Sequence, residues 1–371
     1  MSGGTASILI VGAGPAGLTA AVELARRGHA IRIVDKGTGP SDESRALGVN
    51  ARTLEILEPC GVTPKMLEAG IRFRRVNFID PPKRLFTIDI SRLDHRYNFM
   101  LSLPQADTER LLMTALEELG QKVEWQTELI GMQQTQNTAV CSFTAPAGTT
   151  SSDYHTVIGA DGAHSFVRKA AGIGFDGQAY PNEWSLADVR LARTSPSDEA
   201  NVFQCDGSIV AMFPQRDGRF RFVSTLPDVL NRLPEPLEVA EIIWQSKFRI
   251  SHRQVETYQN GNVLLCGDAA HIHSPVGGRG MNLGIEDAAT LAYMIDQGTT
   301  SGYSAARHPV GRHVLGVTDQ QTRLMTSQSL VPRLLRRYIF PLIASIPAIQ
   351  SRALPEMAGL SAPHPEWLER H

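Results

Sequence analysis

Ile8-Leu9-Ile10-Val11-Gly12-Ala13-Gly14-Pro15-Ala16-Gly17 is the stretch that decides the fold. Ser7 to Val11 is apolar without alternation, the pattern of a parallel strand buried on both faces. Glycines follow at once. Gly12 permits a tight turn, Gly14 lets backbone approach a pyrophosphate, and Gly17 lets the next helix pack close to the strand. Pro15 sits in the first helical turn, where its missing N–H costs nothing. Ala16 to Arg27 is rich in Ala and Leu and ends at Gly28, a C-cap. Ala30-Ile31-Arg32-Ile33-Val34 is the second strand. Asp35 closes it, with Lys36 beside it, where an acid accepts hydrogen bonds from ribose hydroxyls. The helix N-terminus offers unpaired N–H groups and partial positive charge to phosphates. This is a dinucleotide-binding fingerprint that does not by itself separate FAD from NAD.

Two distant segments repeat the pattern of an apolar strand ending in glycine and acid. Thr156-Val157-Ile158-Gly159-Ala160-Asp161-Gly162 leads to Ser165, Val167 and Arg168. Asn262-Val263-Leu264-Leu265-Cys266-Gly267-Asp268 leads to Ala269-Ala270-His271 and then to Pro275-Val276-Gly277-Gly278-Arg279-Gly280-Met281-Asn282. A helix is expected from Met281 or Asn282. Together the three segments point to a bound flavin.

The chain resembles the single-component FAD-dependent aromatic hydroxylases, the p-hydroxybenzoate hydroxylase-like class A monooxygenases, and within them the polyketide and phenol hydroxylases. The matching stretches are the glycine fingerprint, Ser44 through Thr53, Leu103-Pro104-Gln105 with Glu109 through Leu112, the Asp161-Gly162 segment, and Gly267-Asp268 through Asp287. The resemblance implies an α/β fold: a Rossmann-like, GR2-type FAD-binding domain with an inserted sheet-rich substrate domain and a C-terminal helical cap. Residues 1–71, 101–175 and 262–319 would form the FAD domain, 72–100 and 176–261 the substrate domain, and 320–371 the cap. Asp268, after Gly267, would bond the ribityl chain. Pro275, Gly277 and Gly278 would lie at the reactive edge of the flavin. Gly280, Met281 and Asn282 would aim a helix N-terminus at the pyrimidine ring. Arg45 would lie near the pyrophosphate, Gln105 near the ribityl chain, and Asp161 near both FAD and NADPH. No second glycine fingerprint exists, so NADPH or NADH would bind transiently across the same cleft, with Arg45 and Arg168 toward it.

The implied reaction uses NAD(P)H and O2 to hydroxylate an aromatic substrate through a flavin C4a-hydroperoxide, with FAD held non-covalently. Such chemistry needs a dry chamber. Residues 176–261 carry the rhythm of an antiparallel sheet: Trp184 to Leu191, Ser208 to Phe213 and Arg219 to Val223, with the hairpin signal Asp217-Gly218 between the last two. Trp184, Met212, Phe213, Phe222 and Phe99 are expected pocket walls. Arg221, with Arg190 and Arg219, would hold an acidic or phenolic substrate. No general base is assigned. Two other readings use the same scaffold: Baeyer–Villiger oxygenation of a ketone, or a non-catalytic flavoprotein that binds an unstable intermediate.

Composition is that of an ordinary globular protein. The chain has 371 residues, 42% hydrophobic and 20% charged, and a net charge of -2 that gives nucleic acid no basic field. Cys60, Cys141, Cys205 and Cys266 are scattered as in reduced cytoplasmic proteins. No leader and no spanning segment is read. His271 and His273 lack a third ligand, so no metal is expected. Leu330 through Pro341 is apolar and basic and would pack across the domains, or serve as a homodimer or membrane face. The end at His371 leaves no room for the thioredoxin-like domain that some relatives append.

Overall fold

The computed structural model describes residues 7–40, 45–193, 198–205, 208–327, 329 and 338–368. A five-stranded sheet forms its first layer, in the order Gln259–Asn260, Val263–Leu265, Thr156–Gly159, Ile8–Val11, Ile31–Val34. The last four are parallel neighbours, in register Leu264 to Ile158, Ile158 to Ile10 and Ile10 to Ile33. Their side chains are almost all buried, which explains the unbroken apolar runs. The strands that precede the three glycine segments are therefore adjacent, and their C-terminal ends open on one edge.

Helix Pro15–Arg26 packs on helices Gln105–Glu118 and Gly280–Asp296. It starts at Pro15, and Gly28 follows its end at φ 84°. Helix Gly280–Asp296 begins one to two residues earlier than expected. The turn through Gly277 and Gly278, at φ 81° and 63°, delivers Arg279 already in helical conformation, and Leu283 N–H bonds to its carbonyl.

The second layer is an eight-stranded sheet, ordered His271–Ile272, Val239–Val255, Phe175–Leu191, Arg219–Ser224, Ser208–Pro214, Glu199–Cys205, Arg75–Asp80, Lys83–Asp89. Strands from two separate sequence segments join where Glu199–Cys205 runs parallel to Arg75–Asp80. Asp217 and Gly218 both take positive φ, 59° and 69°, in the hairpin between Ser208–Pro214 and Arg219–Ser224. A three-stranded meander, Glu128–Gln134, Ala139–Ala145 and Gly148–Tyr154, was not expected. Helix Tyr303–Thr326 runs straight through position 320, and Phe340–Ala344 and Pro347–Met357 follow. Most of the apolar-basic stretch, 330–337, lies outside the described residues.

Candidate cofactor site

Glycines let the three loops touch. A Cβ at Gly12, φ 104°, would sit 2.4 Å from the Ala160 carbonyl oxygen, so the first loop lies on the second. A Cβ at Gly17 would sit 1.9 Å from the Gly12 oxygen, which draws the helix onto the strand. A Cβ at Gly267 would be 3.0 Å from that of Ala16, and one at Gly284 would be 3.1 Å from the Gly267 Cα. Three small residues thus bring the third loop and helices Pro15–Arg26 and Gly280–Asp296 together; Gly284 escaped the sequence reading. Among the described residues, a Cβ at Gly14 would meet nothing within 4 Å. Helices Pro15–Arg26 and Gly280–Asp296 have no side-chain N-cap and no acid in the first turn. Their leading N–H groups are left for a ligand.

The acids behave differently from one another. Asp35 is half-buried and accepts from Ala13 N–H and Gly37 N–H, both at 2.7 Å. Each carboxylate oxygen keeps a second lone pair for a hydroxyl. Lys36 is exposed beside it. Asp161 caps helix Phe166–Ala170, accepting from Phe166 N–H at 2.7 Å, Val167 N–H at 3.0 Å and the Ser165 hydroxyl at 2.5 Å. Arg168 is buried, with its guanidinium on the carbonyls of Ala269 at 2.9 Å and Ala163 at 3.0 Å. It ties the second loop to the third rather than reaching out for a nicotinamide cofactor. Gln105 bonds Glu109 at 2.8 Å, and its N–H donates to the Ala46 carbonyl.

Asp268 stands in the 3-10 turn Gly267–Ala269, exposed, with no hydrogen-bond partner among the described residues. A free carboxylate in this position suits a chain of hydroxyl donors. Pro275, Gly277 and Gly278 are exposed on the adjoining turn, closed by Gly278 N–H to the Pro275 carbonyl at 2.9 Å. Asn282 is buried and fully engaged. It donates to the carbonyls of Gly48 at 2.8 Å and Gly278 at 2.6 Å, and accepts from Asn50 N–H at 3.0 Å and Thr53 Oγ1 at 2.8 Å. Its side chain therefore fastens segment 48–53 to the turn, and only its backbone N–H is free to face a flavin.

Strand register sorts the expected substrate residues. Asp188 opposes Arg221, and Arg221 opposes Phe213, so these three share a face of the eight-stranded sheet, with Trp184 four residues before Asp188. That face meets the cofactor layer. Arg221 Nη1 donates to the carbonyls of Arg45 at 2.9 Å and Ala46 at 3.1 Å, and the Arg45 guanidinium lies over Phe248. Met212 and Phe222 oppose each other on the other face, in a separate core with Val189, Val210 and Phe220. They are core residues, not pocket walls, because a strand cannot aim neighbours Met212 and Phe213 the same way. Arg221 is buried, and its Nε and Nη2 fork Asp188 at 2.7 Å each. All three guanidinium nitrogens are engaged within the protein. Arg190 and Arg219 pair with Glu241 and Asp217 at the rim. Phe99 is buried beneath the guanidiniums of Arg72 and Arg74.

A polar network behind the third loop was not anticipated. His271 Nε2 lies 2.6 Å from Asp287, Arg307 Nε donates to Asp287 at 2.7 Å, and Arg307 Nη1 to Glu286 at 2.8 Å, all buried. Glu286 and Asp287, side by side between Leu283-Gly284-Ile285 and Ala288-Ala289, were the signal that a buried cation must face them.

A parallel sheet with three glycine loops at one edge, two uncapped helix N-termini and a free acid defines a dinucleotide-binding flavoprotein. The chain belongs to the FAD binding domain family, whose model matches residues 5–316, and FAD is its cofactor. It is 32% identical over 351 residues to 6-methylpretetramide 4-monooxygenase of Streptomyces rimosus, an alignment covering 87% of this chain and 63% of that protein. It is 31% identical to pentachlorophenol 4-monooxygenase of Sphingobium chlorophenolicum, covering 84% and 63%. The chain thus spans less than two thirds of these relatives. The crystal structure of p-nitrophenol 4-monooxygenase from Pseudomonas putida superposes with a TM-score of 0.86 at 21% identity, covering 96% of this chain and 98% of that one, a likeness of fold. No helix among the described residues is long and apolar enough to cross a membrane.

Proposed function

We propose that the protein is an FAD-dependent monooxygenase that uses NAD(P)H and O2 to hydroxylate a phenolic or polyketide aromatic ring. The relatives named for such reactions support this reading. One observation carries it. The sheet face with Trp184 and Phe213 is hydrogen-bonded through Arg221 to the Arg45–Ala46 backbone, and that segment adjoins the Gly278 turn. An aromatic wall thus stands beside the cofactor loops.

Gly14, Ala16 and Gly17 take the pyrophosphate, Asp35 and Lys36 the adenosine ribose, and Asp268 the ribityl hydroxyls, with Arg45 and Gln105 near them. Asp161 acts through the loop it caps. The N–H groups of Gly280, Met281 and Asn282 face the flavin pyrimidine, where negative charge develops. Pro275, Gly277 and Gly278 line its reactive edge; glycine keeps that approach free of Cβ atoms. Bound non-covalently, FAD supplies the redox chemistry: hydride from NAD(P)H and electrons to O2, so that one oxygen enters the ring and the other leaves as water. Trp184 and Phe213 orient the ring and exclude water. Residues 1–71, 101–175 and 262–319 hold the cofactor, and 72–100 with 176–261 the substrate. Cys60, Cys141 and Cys266 are free thiols, in keeping with the cytoplasm, where NAD(P)H is supplied.

The test is turnover with labelled oxygen. Yellow, FAD-loaded protein should oxidise NAD(P)H faster when a phenolic substrate is added, and one atom of 18O2 should appear as a ring hydroxyl. Protein that stays colourless in excess FAD, label inserted beside a ketone, or a flavin that NAD(P)H never bleaches would each overturn the reading.

A further inference from the structure

The Asp268 side chain makes no hydrogen bond among the described residues, so its place is set by its backbone. One carboxylate holds the turn on either side, through the Gly267 N–H before Asp268 and the His271 imidazole after it. Asp287 Oδ2 lies 2.6 Å from His271 Nε2 and accepts the Gly267 N–H at 3.4 Å. Gly267 precedes Asp268, and His271 follows it by three. The other oxygen of Asp287 accepts Arg307 Nε at 2.7 Å, and Arg307 Nη1 reaches Glu286 at 2.8 Å. Arg307 sits on helix Tyr303–Thr326, outside all three glycine segments, and is itself buried. Its planar fork matches two adjacent acids in a way that a single ammonium cannot. Without it, buried Glu286 would lose its cation and Asp287 would keep only His271 and the Gly267 N–H.

We propose that Arg307 is a positioning residue for FAD. By fixing Asp287 it fixes the turn that presents Asp268 to the ribityl chain. The inference rests on the assignment of Asp268 made above and extends it to a residue that touches neither cofactor nor substrate.

The test is a double-mutant cycle on FAD affinity, read by quenching of flavin fluorescence on titration into the full-length apoprotein. Asp268→Asn should raise the FAD Kd about tenfold, the scale of one hydrogen bond to a charged group. Arg307→Lys keeps the charge but reaches one acid, and should raise Kd roughly fivefold. In the Asp268→Asn background the same change should add less than about twofold, because it acts through Asp268. Phe222→Leu, in the distant core, should lower Tm and leave Kd unchanged. If Arg307→Lys does not fold, Glu286→Gln removes one anchor and should give a smaller rise that is likewise absent in the Asp268→Asn background. An unchanged Kd in Asp268→Asn refutes the assignment of Asp268 itself. If that variant weakens FAD, but Arg307→Lys lowers only Tm or multiplies fully with Asp268→Asn, the positioning role is overturned.

Discussion

Gly14 and Gly17 are three residues apart and answer to different demands. A methyl at Gly17 would press on the Gly12 carbonyl oxygen at 1.9 Å, and backbone cannot step aside as a side-chain tip can. Gly17→Ala should therefore cost about 1–3 kcal/mol of stability even without cofactor. Gly14 has φ -75°, which any residue accepts, and no described residue lies within 4 Å of a Cβ there. Gly14→Ala should leave apoprotein melting within about 1 °C of wild type and still weaken FAD roughly tenfold or more, by filling the pyrophosphate's approach. Calorimetry of the apoprotein and FAD titration separate the two. His273 gives a pH signature. Burial, helped by His271, pushes its imidazole down to about 3, and its Nε2 is buried without a partner among the described residues. The folded state then binds fewer protons than the unfolded state. This contribution is complete above about pH 6.5 and is lost as pH falls toward 3. Stability, and Tm with it, should fall between pH 7 and 5, by at most about 1.4 kcal/mol per pH unit from this group, and more shallowly in His273→Asn. Glycine roles were legible because a missing Cβ permits positive φ, as at Gly12, and close backbone approach, as at Gly14 and Gly17. Arg307 was not, since its acids lie 20 and 21 residues away on another helix.

At the scale of the strand, alternation divides residues that composition lumps together. Met212 and Phe213 are equally plausible walls by hydrophobicity, yet period two sends one to the core and the other toward the cofactor layer. That they differ was readable from the sequence. Which one faces the cofactor was not, because the answer depends on Arg221 bonding the carbonyls of Arg45 and Ala46, 176 and 175 residues away. Phe222→Leu should cost about 1 kcal/mol and leave the KM for the aromatic substrate within twofold. Phe213→Leu and Trp184→Phe should change stability comparably, but raise KM severalfold and divert reducing equivalents to hydrogen peroxide as water enters. Peroxide yield per NAD(P)H is the decisive measurement. Equal leakage from Phe222→Leu would mean that the faces are reversed.

Across the whole molecule, the three strands that lead into the glycine loops lie about 100–150 residues apart in sequence, so their order could not be read locally. The motifs supplied the chemistry of each loop; packing of Ala16, Gly267 and Gly284 supplies their convergence. A cofactor gripping all three loops must then stabilise the sheet as a unit. Binding contributes RT ln(1 + [FAD]/Kd), about 2.7 kcal/mol at a hundredfold excess over Kd. Removing FAD should lower Tm by several degrees, and restoring it should recover the loss with that logarithmic dependence on concentration. Hydrogen exchange should slow in Ile8–Val11, Thr156–Gly159 and Val263–Leu265 together. Gly14→Ala should shift the whole curve to higher FAD without changing its limiting slope. Protection confined to the first strand and helix Pro15–Arg26 would instead mean that FAD is held by the first loop alone, and that the other two glycine segments serve the fold rather than the cofactor.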